Sequence, residues 1–288
     1  MTWLFWATSS ILFFSALILL QRTLSIDSKY PRAMAVVFNF WGILFALLIS
    51  FATGAYRNIS FPSEPVAWIF MFTAVIMYSL FERGRFLASK LLEASVTATI
   101  SNISLVVAFV GSIFLYSEAL TFGKIVGTAL ILLALVLVAT AGGIHKKVPL
   151  KSLGIGVIVS VFLGLAWMLD KKGALFFSPD LYNILVWLLP LFFVYFPYIK
   201  NSELKYEALR GSWKLILLAG INVTGYLLQL KALETGDATR IIPIVQTSTL
   251  ITVLMGILFL KEREHVWRKI ISSIIALAGV FFLVANTF

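Results

Sequence analysis

The sequence contains no cysteine and only two histidines, His145 and His265, each within two residues of a lysine or arginine in a polar link. Disulfides and thiolate metal sites are excluded, and two isolated histidines do not make a metal centre. Charge is also scarce. Only 12% of residues are Asp, Glu, Lys or Arg, 60% are hydrophobic, and the mean hydropathy is +0.99. A soluble domain carries about a quarter charged residues, so the solvent of this chain is lipid. Acids are the rarer sign, 13 against 23 bases, for a net charge of +10. Basic links between apolar runs fit loops facing the cytoplasm and anionic lipid, with no nucleic-acid partner. There is no paired-carboxylate cluster with a partner base, no nucleophile beside a base and no Walker A sequence. Gly154-x-Gly156 is a fragment without the third glycine of a dinucleotide loop. No enzyme, no cofactor, no metal and no ATP hydrolysis are expected.

What is present is a series of apolar runs near the ~20 residues a helix needs to cross a bilayer. Inside a membrane such runs must be helical, because only a helix satisfies its own backbone. They fall near Trp3–Leu20, Ala33–Ala52, from Val66 on, Ala94–Tyr116 and Phe122–Ala141. The second set falls near Leu153–Leu169, Leu181–Ile199, Trp213–Leu230, Ala238–Leu260 and Val266–Ala285. Gly142–Lys151 breaks the pattern at the midpoint and reads as the hinge.

The two sets are related. At one gapless offset of 144 residues, half the chain, Ala88 meets Ala232, Ala94 meets Ala238, Ile100 meets Ile244, Ser104 meets Ser248 and Glu118 meets Glu262. Apolar identities are cheap here, so the matched acids and the half-chain offset carry the inference of a duplication. Residues 1–144 and 145–288 are expected as two five-helix repeats of one membrane domain. Five is odd, so the second must enter the membrane from the opposite side. The fold expected is all-α and integral to the membrane: ten transmembrane helices as two inverted repeats, with a binding site near the midplane.

Five-helix halves, the Ala-x5-Ala entry to the fourth helix of each (Ala88/Ala94, Ala232/Ala238) and the closing acids Glu118 and Glu262 resemble the EamA family of the drug/metabolite transporter superfamily. The resemblance covers nearly the whole chain, through loose motifs. A proline common in that family thirteen residues before the acid is replaced here by Leu105 and Thr249, while Pro243 offers a break six residues earlier. The resemblance implies a secondary transporter or exporter in the cell (inner) membrane. Its cargo would be a small organic solute, such as an amino acid, another metabolite or a drug-like compound. A flippase for lipid or lipid-linked headgroups is the alternative, with the basic stretch Lys200–Lys214 meeting headgroups. A scaffold is a third reading. Protons or an exchanged solute would supply energy, and a monomer or homodimer is expected.

The candidate substrate-binding residues are the polar groups placed inside spans. Tyr78, Glu82, Arg83 and Arg85 lie in the third helix, where the other half has Asn222, Tyr226, Leu227 and Gln229. Charges at such depth face a cavity or each other, and Glu82 and Arg85 are spaced to pair. If the helix ended near Leu80 instead, these charges would sit in a loop. Asn222, Tyr226 and Gln229 form one stripe that either lines a path or glues helices. Asn102 and Gln246 match at the half-chain offset and read as solute ligands or interhelical glue. Trp167 offers an indole for stacking, or an interface anchor. Asp170–Lys172 reads as a helix terminus in water, which leaves Glu82 as the one acid deep enough to carry a proton. Glu118 and Glu262 read as caps of the fifth and tenth helices.

Orientation follows from charge. The odd-numbered links hold 17 Lys and Arg, or 14 without the third-helix group, against 6 in the even-numbered ones. Positive charge stays inside, so the odd links are expected in the cytoplasm and both termini outside. The resembled family is usually drawn with both termini inside.

Overall fold

The structure, a computed structural model, describes residues 2–92, 94–140, 149–252 and 266–285. Among these are ten α-helices: α1 (Thr2–Ile26), α2 (Pro31–Ala52), α3 (Pro65–Leu91), α4 (Ala94–Tyr116), α5 (Phe122–Ala139), α6 (Leu150–Phe176), α7 (Pro179–Tyr195), α8 (Asn201–Thr235), α9 (Ala238–Gln246) and α10 (Val266–Ala285). A 3₁₀ turn, Ala55–Asn58, follows α2, and there is no strand among the described residues. Proline opens α2, α3 and α7, where its fixed φ suits the first turn and its missing N–H costs nothing.

The third helix runs unbroken to Leu91, so Glu82, Arg83 and Arg85 are helical and not in a loop after Leu80. Two boundaries differ from expectation. The sixth helix continues past Leu169 to Phe176 and carries Asp170 inside it. The stretch expected as a basic loop from Lys200 is the start of α8, which kinks at Ser212 (φ 47°, ψ −147°) before the span proper. In α9, Pro243 removes one backbone donor, and the helix gives way to a turn at Thr247 before helix resumes at 248–252.

Six helices (α1, α2, α3, α6, α8 and α10) carry an apolar stretch long enough to cross a membrane, and α4, α5 and α7 are apolar over shorter stretches. Large apolar side chains such as Phe5, Leu48, Phe51, Phe114, Phe122 and Leu277 point outward, as a surface bathed in lipid requires.

Hydrogen bonds sort the helix ends into two opposite faces. On one, Glu207 of α8 is fully buried against the α1–α2 link. Its Oε1 accepts from Ser28 Oγ (3.0 Å) and from the backbone N–H groups of Lys29 (2.8 Å) and Tyr30 (2.7 Å), while Arg210 pairs with Oε2 at 2.9 Å. Arg22 donates to the carbonyls of Ser89 and Leu92 on the same face. The other face gathers Glu118, Lys124, Lys171 and Asp237. Small residues pair between α5 and α10. A Cβ on Gly127 would lie 2.7 Å from the Gly279 carbonyl oxygen, so the helices touch backbone to backbone.

The packed interior is uneven. Toward the Glu118 face one continuous apolar core joins α1 and α3–α10, around Met71, Leu105, Ile131, Tyr182, Leu230 and Leu233. Toward the Glu207 face the core separates into a cluster on α1, α2, α7 and α8 with Phe86 of α3, and a small one of Leu92, Val96 and Ile100. A cavity lies where the core is split.

Candidate functional site: a central cavity closed at one end

The cavity has a volume of ≈ 310 Å³, the size of a site for a small molecule. Its lining runs from Gln21, Arg22, Ser89 and Leu92 near the Glu207 face to Tyr78, Trp167 and Tyr226 deep inside. Helices α1, α3, α4, α6, α8 and α9 all contribute. So do α2 through Asn39 and α7 through Val186 and Trp187.

Six of the eight residues singled out from sequence meet here: Tyr78, Glu82, Trp167, Asn222, Tyr226 and Gln246. Two do not. Asn102 is buried away from the cavity, one position round the helix from Ser101, which takes the lining place. Among the described residues, neither polar atom of the Asn102 amide has a hydrogen-bond partner. Gln229 shares the Asn222–Tyr226 stripe but lies one turn beyond Tyr226. That places it past the cavity floor, where it is buried.

Glu82 and Arg85 form the ion pair their spacing allows, with Arg85 Nη1 2.6 Å from Glu82 Oε1 and both side chains 6% exposed. Asn39 donates to Glu82 Oε2 at 3.2 Å, and Arg85 also donates to Gln21 Oε1. The guanidinium lies 4.9–5.2 Å from the ring centres of Phe38, Phe81 and Phe86, where aromatic faces favour a cation. The pair is thus neutral as a unit, flanked by two amides and three aromatic rings. Around it the wall offers amides (Gln21, Asn39, Asn222, Gln246), hydroxyls (Thr97, Ser101, Ser160) and apolar surface from Phe14, Phe81, Leu163 and Trp187. Such a wall suits a small amphipathic solute of little net charge. Sequence reasoning missed Asn39 and Trp187. The half-chain offset pairs Asn39 with Asn183, whose Oδ1 accepts from Trp187 Nε1 at 3.0 Å, and that match is the signal that points to it.

The floor corrects another expectation. Asp170 is not in water but wholly buried. Its Oδ2 accepts from Tyr78 Oη (2.6 Å), and its Oδ1 from Tyr226 Oη (2.8 Å) and Tyr182 Oη (3.3 Å). One carboxylate therefore ties α6 to α3, α7 and α8, and Glu82 is not the only acid at depth.

Below the floor the Glu118 face is locked. Glu118 was expected to cap the fifth helix, but Thr121 does that, accepting from Lys124 N at 3.3 Å. Glu118 instead crosses to the other half and caps α9. It accepts from the backbone N–H groups of Ala238 (3.0 Å) and Thr239 (3.1 Å) and from the Thr239 hydroxyl. Lys171 Nζ sits 2.7 Å from Glu118, and Lys124 Nζ sits 3.0 Å from Asp237. Burial works against ionisation of Asp237, but the hydrogen bond and charge of Lys124, with Lys171 and Arg240, hold its carboxyl below the usual value. Glu262 lies outside the described residues.

Residues 150–285 match the EamA-like transporter family. The second half of the chain is EamA-like. The EamA match spans α6 to α10 and so includes Trp167, Asp170, Asn222, Tyr226 and Gln246. One solved crystal structure of a protein resembles the whole fold, with a TM-score of 0.76, 14% identity, and coverage of 98% of this chain and 96% of the other. At that identity the likeness concerns the fold alone. No curated protein matches the chain. The EamA match over the second half and the apolar helices are consistent with a multi-pass membrane transporter.

Proposed function

We infer that this chain is a secondary carrier that moves a small organic solute, such as an amino acid, another metabolite or a drug-like compound, across the cell (inner) membrane by alternating access. One observation carries the reading: an amide- and aromatic-lined cavity reaches from the Glu207 face to mid-depth and stops at a hydrogen-bonded floor with an ionic lock beneath it. That is the form of a carrier caught open to one side, and by the charge count that side is the cytoplasm.

The helix contacts support inverted repeats. Exchange each helix for the one five places on and the main pairings reproduce themselves: α1 on α8 becomes α6 on α3, α4 on α6 becomes α9 on α1, and α2 on α7 and α5 on α10 map onto themselves. Rocking one repeat against the other would open the Glu118 face as the Glu207 face closes. One chain encloses the cavity, so a monomer suffices. No observation favours the flippase alternative. Purified protein in liposomes, tested against a panel of metabolites, should give saturable uptake of at least one. Folded protein without saturable uptake of any, or protein that scrambles labelled lipid instead, would overturn the reading.

A further inference from the structure

The geometry points to Asp170 as a proton-binding site whose loading releases the Glu118 face, so that the carrier inferred above is driven by protons. The inference rests on that carrier reading for its purpose, though not for its chemistry. A wholly buried carboxylate is costly unless a cation pairs with it or enough hydrogen bonds satisfy it. Here, among the described residues, no Lys, Arg or His forms an ion pair with Asp170. Three tyrosine hydroxyls are its satisfaction. Glu82, by contrast, is already neutralised by Arg85.

The charged and titratable groups nearby are bonded to Asp170 itself or engaged elsewhere. From α3 come Tyr78 and, a turn on, the Glu82–Arg85 pair. α7 brings Tyr182, and α8 brings Tyr226. On α4, Tyr116 donates to the Met168 carbonyl. Lys171 of α6 is held by Glu118 and Asp237, and Lys172 lies against the rings of Phe70, Tyr116 and Phe176. Arg240 of α9 pairs with Asp237.

Position gives the site its use. Tyr78 and Tyr226 line the cavity and also bond Asp170, so they lie between cavity water and the carboxylate. A proton arriving from that water forms an O–H bond on one Asp170 oxygen. That oxygen gains a donor and becomes a weaker acceptor, so a tyrosine that donated to it turns away or accepts instead. Because the three hydroxyls come from α3, α7 and α8, the change loosens the layer joining both halves directly above the ionic lock. When that face opens, the proton leaves to the opposite side.

The test needs no transported solute. In infrared difference spectra between about pH 9 and about pH 5, a range that brackets buried carboxyls, wild-type protein should show a protonated-carboxyl band. The band should vanish in Asp170→Asn and persist in Glu82→Gln. In Tyr226→Phe it should shift in frequency, since that carboxyl has one hydrogen bond fewer. This assigns the band even if Asp170→Asn folds poorly. The absence of cysteine allows spin labels at Phe61→Cys and Leu120→Cys on the Glu118 face. Their separation should widen on acidification in wild type and be independent of pH in Asp170→Asn. A band that survives Asp170→Asn, a widening that survives it, or a widening that follows sodium at fixed pH each overturns the proposal. A band without any solute flux would refute the carrier reading and leave the proton site standing.

Discussion

Replacing Glu118 by alanine removes a side chain that spans from the first half to the start of α9 and caps that helix. Its carboxylate takes two backbone N–H groups and a hydroxyl at the α9 N-terminus and holds Lys171 at 2.7 Å, with only 5% of its side chain exposed. Losing a helix cap costs about 1 kcal/mol, and breaking one side of a buried ion pair costs about 3 kcal/mol. Asp237, 3.8 Å from Lys171, can take over part of the second term, so about 3 kcal/mol in all is a fair figure. If these contacts exist only while the Glu118 face is shut, the closed-to-open ratio falls by more than about 100-fold. A single cysteine at Thr249, in the cavity wall, reports this directly. A membrane-impermeant maleimide added on the Glu118 face should label Thr249→Cys slowly in the parent and at least about tenfold faster with Glu118→Ala. An unchanged labelling rate alongside a lowered melting temperature would show that Glu118 is a static cap and that this face is no gate.

Other outcomes follow from the same contacts. Glu82→Gln leaves Arg85 charged without its counter-ion and should lower solute flux several-fold with expression normal; equal flux at every pH would refute its role in the cavity. Gly127→Leu must push α5 off α10, because its Cβ meets the Gly279 carbonyl and Leu283 at 2.7 Å; overpacking of this kind costs about 1–3 kcal/mol, read as a lower melting temperature. Asn102→Leu removes an amide with no hydrogen-bond partner among the described residues and should be neutral or stabilising by up to about 1 kcal/mol, with flux unchanged. A reporter fused after Phe288 should be active only outside the cytoplasm, and activity inside would reverse the orientation taken from the charge count.

The helices were legible because the lengths of the apolar runs are local, one-dimensional signals. Tyr78 and Glu82 sit opposite Asn222 and Tyr226 at the half-chain offset, and all four reach the cavity. The rest depends on contacts that sequence spacing does not encode. Asp170 followed by two lysines has the composition of a helix end. Its burial comes from tyrosines 92 and 56 residues away. Glu118 finds its helix 120 residues on. The start of α8 reads as loop because its charges look solvated, yet Glu207 there is buried by the α1–α2 link. Gln229 fits the period of its stripe, but a stripe says nothing about where along it the cavity ends.

Counterflow tests alternating access most directly. Vesicles holding the purified protein and preloaded with an unlabelled solute, one found by the metabolite panel, are diluted into a trace of the same solute carrying label. A carrier whose single cavity faces one side at a time should draw label in above its equilibrium level before it decays, and Glu82→Gln should blunt that overshoot. Monotonic equilibration, unaffected by solute on the far side, would mean a passage open to both sides and would contradict the account.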